Sequence, residues 1–322
     1  MTATTKTAKT GVARRADKPK ASDAVKRENR TGWAFMAPFG ILFALVFILP
    51  IIWAIYSSFF RQVTTGGGAY GGGELVDKFV GLQNFQYVIT SGNFWAGVGR
   101  VVLYTVIQVP VMIIAALALA MLIDSYIVKH ITAFRLSYFL PYAIPGVVAS
   151  IIWVYLYNGQ ISPIVKGLAA IGIKVNFFGD NVVLGSMANI TTWTFTGYNM
   201  LIFYSSLSTI PHSLYEAASI DGASEWQIVK SIKLPELKGS LAITVIFSII
   251  GSFQLFNEPS ILQNMVPGNS ITTYYTPNMY AYNLSFAGNQ SNYAAALAIT
   301  MAVITMAIAY AVQLNSMKEQ MK

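Results

Sequence analysis

Seven side chains set in or beside apolar runs could hold a small solute without covalent chemistry. Four are aromatic, Trp153, Tyr157, Trp193 and Tyr198, and three are neutral amides, Asn199, Gln254 and Asn257. Rings pack on apolar faces and amides bond hydroxyls, so the set suits a neutral solute that presents both. A polar group in apolar surroundings is costly unless paired or wet, so each amide either bridges helices or lines a path. The rings either line that path or form an interfacial belt. Gln254 and Asn257 are three apart, which predicts one shared helical face. Nothing points to bond-making chemistry. There is no Cys, and the two histidines, His130 and His212, are too few for a histidine-built zinc site. Gly66-Gly67-Gly68 and Gly71-Gly72-Gly73 lack the lysine and the strand-to-helix setting of a phosphate cradle, and read as a flexible loop.

The elements that must position these residues are membrane spans. Of 322 residues, 55% are hydrophobic and 11% charged, against roughly 25% charged in soluble domains. Six apolar runs, 33–60, 98–123, 136–157, 182–207, 239–257 and 292–316, approach or exceed the ~20 residues that cross a hydrocarbon core as helix. Arg100, at the mouth of the second, is their one charged residue. The expectation is an all-α membrane protein with one six-helix domain over 33–322. Residues 1–32, rich in Thr, Ala and Lys, have no apolar period and are expected to be disordered. The first run is too long for a cleavable signal and lacks a small-residue cleavage site. The basic tail suits anionic lipid headgroups, and without interleaved aromatic residues it does not read as a nucleic-acid site.

Charge sets the orientation. Of the 21 Lys and Arg, only Arg61, Lys78, Arg100, Lys166 and Lys174 fall on one side of the runs. The positive-inside rule therefore predicts that both termini and the segment after the fourth run are cytoplasmic. Ion-coupled carriers usually hold an acid at membrane depth, whereas Asp124 and Glu258 are expected only at span ends, which favours a neutral solute. Pro110, Pro141 and Pro145 either loosen helices for gating or make static kinks.

The longest amphipathic stretch outside the tail is 211–241, PHSLYEAASIDGASEWQIVKSIKLPELKGSL. It predicts two short helices joined at Asp221-Gly222. Ser213 and Glu216 are spaced as a capping box, and Ala217 and Ala218 give a smooth face for close approach. Gly222 tolerates the left-handed conformation that ends a helix. Trp226, Ile228, Val229 and Ile232 form an apolar stripe, and Pro235 breaks it.

The order Glu216-Ala217-Ala218, Asp221-Gly222-Ala223, then Ile232 and Leu234-Pro235 resembles the EAA loop of inner-membrane permeases in binding-protein-dependent ABC importers, in the carbohydrate branch. FVGLQNFQYVI at 79–89, FRLSYFLPYAIPGVVASIIWVYLYN at 134–158 and the stretch from Thr192-Trp193 to Tyr198-Asn199-Met200 are similar to other family segments. The outer segment 256–286 is similar to the first permease of sugar-importer pairs, with Val266-Pro267-Gly268 only partly matching the usual Gly-Gly-Pro. Arg100-Val101 departs from the family's Asn-Thr.

The resemblance implies a coupling loop at 211–238, between helices four and five, that docks on an ATPase through Glu216 to Ala218, Asp221 to Ala223, Trp226, Leu234 and Pro235. It implies a non-catalytic, multi-pass subunit in a bacterial or archaeal cell membrane. The implied partners are a second, related permease, two ATPase subunits that bind the ATP and Mg, and an extracytoplasmic solute-binding protein; the implied solute is a sugar. Glycerol phosphate, an amino acid or a polyamine are alternative solutes. An ion-coupled carrier, or a scaffold or receptor that moves nothing, are the rival classes.

Overall fold

A computed structural model of the chain describes residues 23–66, 73–125 and 130–320. It divides into two compact units, Met1–Trp53 and Ala54–Lys322. Starting in the first, α1 (Asp23–Phe43) runs through a π-turn (Ala44–Ile48) into α2 (Leu49–Ser58), whose residues from Ala54 on belong to the second. Residues 23–32 are therefore helical, where disorder was expected; Lys, Arg and Glu are good helix formers and extend the apolar helix outward. The rest of the expected tail, 1–22, lies outside the described residues.

The second unit continues with a two-stranded antiparallel hairpin, β1 (Phe60–Thr65) and β2 (Glu74–Phe79), in the register Phe60↔Phe79 to Thr65↔Glu74. The all-helical expectation is corrected at this point: Phe, Val and Thr on these short runs favour pairing over helix. Asn84 fixes the hairpin base by donating to the carbonyls of Ser58 (2.8 Å) and Phe60 (2.7 Å). The glycine-rich tip expected to be a flexible loop falls mostly on 67–72, outside the described residues.

After α3 (Gln83–Thr90) come α4 (Gly92–Asp124), α5 (Ile131–Phe139), a 3₁₀ turn (Leu140–Ala143), α6 (Gly146–Tyr157), α7 (Pro163–Ala170) and α8 (Val183–Leu207). Then follow α9 (His212–Ile220), α10 (Glu225–Ile228), a π-turn (Val229–Lys233), α11 (Leu234–Glu236) and α12 (Lys238–Phe253). The chain ends with α13 (Asn257–Met265), α14 (Pro277–Phe286) and α15 (Ser291–Gln320). Helices α4 and α8 pack along most of their length, and α5, α6, α12 and α13 each lean on one or both of their neighbours.

Among the described residues, four helices are long and apolar enough to cross a membrane: Val25–Ser58, Gly92–Asp124, Lys238–Met265 and Ser291–Lys318. The pair Ile131–Ala143 and Gly146–Tyr157 makes a fifth if counted as one span, although it bends by 99°. The kink expected of Pro141 and Pro145 is here, sharp enough to break the third run into two helices. Pro141 and Pro145 cannot donate backbone hydrogen bonds, and Pro145 bars helical geometry at Ile144, so the helix turns there. The expected fourth run is a continuous helix of 25 residues, α8, but Thr191, Thr192, Thr194, Thr196 and Asn199 lower its apolar character. Neighbouring helices enclose much of it, so lipid does not dictate its composition.

The expected fifth run is also broken. Helix α12 stops at Phe253 and α13 starts at Asn257, so Gln254 and Asn257 do not share a helical face. The freed carbonyls are satisfied from α14 and its cap: Asn278 donates to Phe253 (3.1 Å) and Thr276 to Leu255 (3.0 Å). A backbone break at membrane depth is tolerated only with such replacement partners.

One close approach fixes the bent pair on α8. A Cβ at Gly197 would collide with the backbone carbonyl of Tyr138, whereas one at Gly185, also in α8, would meet nothing within 4 Å. Gly197→Ala is expected to destabilise the protein by about 1–3 kcal/mol, the usual scale of overpacking. Gly185→Ala should be neutral. Thermal unfolding of the purified protein in detergent checks this, and equal midpoints for the two variants would rule out the tight crossing.

Candidate functional site

The break between α12 and α13 opens a cavity of about 300 Å³ against α4 and α8. Helix α4 contributes Tyr104, Gln108 and Met112, spaced by four so that they stack on one face. Helix α8 contributes Thr191, Phe195, Tyr198 and Asn199. The far wall is Phe247, Ser248 and Ser252 of α12, and Gln254, Asn257 and Glu258 at the break. Four of the seven residues predicted for a solute path thus meet here: Tyr198, Asn199, Gln254 and Asn257.

Hydrogen bonds set the wall. The Tyr104 hydroxyl donates to Thr191 Oγ1 (2.7 Å), which donates to Glu258 Oε1 (3.4 Å). Ser252 donates to Gln108 Oε1 (3.1 Å), and both Gln108 and Asn199 turn their NH₂ groups to the Met112 sulfur, at 3.2 and 3.3 Å. Thioether sulfur is a weak acceptor, so these two amides keep donor capacity for a stronger partner. Tyr198 stacks on Tyr142 of the 3₁₀ turn, with centroids 4.6 Å apart, so the proline bend forms part of the rim.

The other three candidates lie elsewhere. Trp153 packs edge-on to Trp193 (5.8 Å) and beside Tyr157 (5.0 Å), and Tyr157 stacks on Phe177 (4.6 Å). The Tyr157 hydroxyl donates to the Ser186 carbonyl (3.1 Å) and accepts from Asn189 (2.8 Å). This cluster joins α6 to α8 and to the loop before it.

The sequence reading passed over Tyr104, Gln108, Thr191 and Glu258. The spacing of 104, 108 and 112 was a readable signal. Glu258 was placed at a span end; it lines the cavity because α12 stops four residues earlier than expected. Arg100 lies eight residues into α4, donating to the Tyr275 carbonyl (3.2 Å) and lying 4.8 Å from the centre of that ring. Burial raises the Tyr275 hydroxyl above its ordinary pKa, and the Arg100 charge pulls it the other way. No group of three His, Cys, Asp or Glu that could hold a metal occurs among the described residues.

The segment 211–238 forms the second candidate site. Helix α9 ends as a Schellman motif: the Ala223 N–H bonds the Ala218 carbonyl (2.9 Å), the Gly222 N–H bonds Ser219 (3.1 Å), and Gly222 sits at φ +79°. The expected Ser213–Glu216 capping box does not form, because the helix starts at His212 with Pro211 as its cap and no side-chain bond. A capping box forms instead at Ser224 and Gln227, opening α10. Of the expected stripe, Ile228 is buried and Ile232 packs inward, whereas Trp226 is 70% exposed. With Leu214 and Ile220 (85% exposed) it leaves an apolar outer face beside exposed Glu216, Ala217 and Asp221. Ala218 and Ala223 are half-buried at the cap, Leu234 is half-buried in α11, and Pro235 is exposed beside it.

This architecture, a broken-helix bundle around a polar cavity with an amphipathic helical pair at one end, is that of a membrane transport subunit. Residues 87–316 match the family model described as "Binding-protein-dependent transport system inner membrane component", and the chain belongs to that family. It is a multi-pass inner-membrane protein. The chain is 30% identical over 276 residues to a sulfoquinovosyl glycerol transport system permease protein of Agrobacterium fabrum, covering 85% of this chain and 86% of that one. It is also 30% identical to a lactose transport system permease protein of Rhizobium radiobacter, covering 87% and 91%. An arabinooligosaccharides transport system permease protein of Bacillus subtilis is 30% identical over 86% and 85%. In fold, the chain is similar to a chain of a bacterial alginate ABC transporter in complex with a periplasmic protein bound to an alginate pentasaccharide, with a TM-score of 0.78 over 94% of this chain and 99% of that one at 18% identity.

A single cysteine tests whether the cavity is open to water, since the chain has no Cys of its own. Ser248→Cys, on the cavity wall, should react readily with a small methanethiosulfonate reagent. Ser150→Cys, at a fully buried position in α6, should not. A Ser248→Cys rate as low as that of Ser150→Cys would mean that the cavity is closed to solvent.

Proposed function

We propose that this chain is the six-span permease subunit of an ATP-driven importer that carries a sugar or oligosaccharide into the cytoplasm. The observation that carries the reading is the cavity: hydroxyls and amides face aromatic rings around one half-open space, the pattern that suits a polyhydroxylated solute. The named permeases for lactose, arabinooligosaccharides and sulfoquinovosyl glycerol support the same solute class. The solute meets Tyr198, Asn199, Gln254 and Asn257 together with Gln108 and Glu258. Trp153, Tyr157 and Trp193 hold α6 against α8 behind that surface.

The sixth span is α8, which has the length and lacks only uniform apolarity. Both termini and 211–238 lie in the cytoplasm, as the basic residues require. The exposed face of Leu214, Ala217, Ile220 and Trp226 docks in a groove on one of two ATPase subunits, where ATP and Mg bind; this chain itself catalyses nothing. A second, related permease completes the path, and an extracytoplasmic solute-binding protein delivers the sugar. ATP-driven closure of the motor draws the coupling segments together and opens the cavity outward.

Two experiments test this. Orientation is read with an impermeant thiol reagent on intact cells: Ser91→Cys and Ser270→Cys should label and Ser231→Cys should not. Labelling at 231 from outside would invert the arrangement. Docking is read by co-purification: Ala217→Leu and Gly222→Val should lose the ATPase while reaching the membrane normally, because the first fills the contact face and the second forces a branched side chain to positive φ. Uptake of lactose and maltose by the assembled importer completes the test. Asn257→Ala should weaken it about fivefold, the scale of one lost hydrogen bond, and unchanged uptake would remove that residue from the path.

A further inference from the structure

Asp124 lies outside both sites and Lys233, although within 211–238, is turned away from its exposed face, yet they make a short ion pair, with Lys233 Nζ 2.6 Å from Asp124 Oδ2 and side chains 7% and 14% exposed. Each residue is out of place by local rules. Asp124 is the last residue of α4, where the helix dipole disfavours a negative charge. Lys233 is buried, which a lysine tolerates only when paired. The helix gains nothing from the acid, and the amphipathic segment gains nothing from the buried base. Their placement makes sense as a bond between two elements.

Those elements are the ones the proposed mechanism must connect. Asp124 ends the helix that carries Tyr104, Gln108 and Met112 into the cavity, with Met112 about 18 Å from it along the axis. Lys233 ends the π-turn between α10 and α11, in the segment that presents Trp226 outward. The joint is reinforced on both sides. The Lys233 ammonium lies 5.2 Å from the Tyr215 ring of α9, and Tyr215, Ile232 and Leu237 pack with Ala116, Ala120 and Ile123 of α4. An ion pair in such surroundings is directional, and removing one partner leaves a charge that the site cannot solvate.

We infer that the Asp124–Lys233 pair is a positioning device that transmits movement of the coupling segment to the cavity face of α4. The inference rests on the proposed ATP-driven function. Apolar packing alone allows the segment to slide over α4; a short ion pair makes displacement of Lys233 a pull on the end of the continuous 33-residue helix. Neither residue lines the cavity, and both side chains are buried away from the face proposed for the ATPase, so their role is transmission.

The test uses the intact importer, purified through a tag on this chain, with Ser248→Cys as the reporter of cavity exposure. In the Ser248→Cys protein, ATP with vanadate should change the rate of modification by a charged methanethiosulfonate reagent about tenfold, the scale of coupling between two sites. In Asp124→Asn and Lys233→Gln the ATPase should still co-purify and hydrolyse ATP, but the change in labelling should be lost. The exchange Asp124→Lys with Lys233→Asp should restore it. A merely structural role would lower yield and melting temperature without separating hydrolysis from the cavity response. Retention of the response in the single variants overturns the inference, as does failure of the exchange to restore it. If the neutral variants do not reach the membrane, Lys233→Arg and the exchange, which keep a charge pair, must both retain the response. If the parent Ser248→Cys importer has no bound ATPase or no response to ATP, it is the proposed function that fails.

Discussion

The crossing of α4 and α8 is the constraint on which the other elements depend. Neither helix has a single apolar face. Each alternates residues that pack against the other, such as Val109, Ile113 and Ala116 on α4 and Met200, Phe203 and Leu207 on α8, with polar residues at helical spacing. Packing the apolar sets turns the polar sets to the same side, so Tyr104, Gln108, Thr191 and Asn199 converge without any further element directing them. The remaining wall, α12 to α13, needs only to close the space. It does so with a broken helix, because continuing α12 through Gln254 would carry Asn257 and Glu258 past the cavity.

Helical registers were legible in the sequence where apolar residues recur without interruption. The starts and ends of α4, α8 and α15 fall within a few residues of the expected runs or extend them outward. What was not legible is where a helix stops inside an apolar run. Nothing local in SFQLFNEP forbids a helix until Pro259; the break exists because Asn278 and Thr276, more than twenty residues downstream, take the carbonyls that the helix would otherwise keep. The same holds for the hairpin at 60–79, whose strands are too short to announce themselves beside a long apolar helix.

The candidate path was half legible for a related reason. Asn199, Gln254 and Asn257 were found by type, since an amide in an apolar run is conspicuous. Trp153 and Trp193 were found by the same rule and lie in a packed aromatic cluster, because type alone does not distinguish a ring facing a cavity from one facing another ring. Glu258 was overlooked because its position was judged from a straight helix. In the segment 211–238 the left-handed Gly222 could be read from its neighbours, whereas the capping box falls at Ser224 rather than Ser213 because α9 starts at His212 with Pro211 as its cap.

The carbonyls of Phe253 and Leu255 are held by side chains that do not line the cavity. The position of Gln254 and Asn257, and hence the shape of the space they enclose, is therefore set from behind, by residues at the start of α14. A lineage could reshape what this cavity admits through substitutions at 276 and 278 while every lining residue stays the same. Comparing only the lining of two such proteins would then find no difference between them. The geometry that separates them would lie in the hydrogen bonds of a helix that lines no part of the cavity.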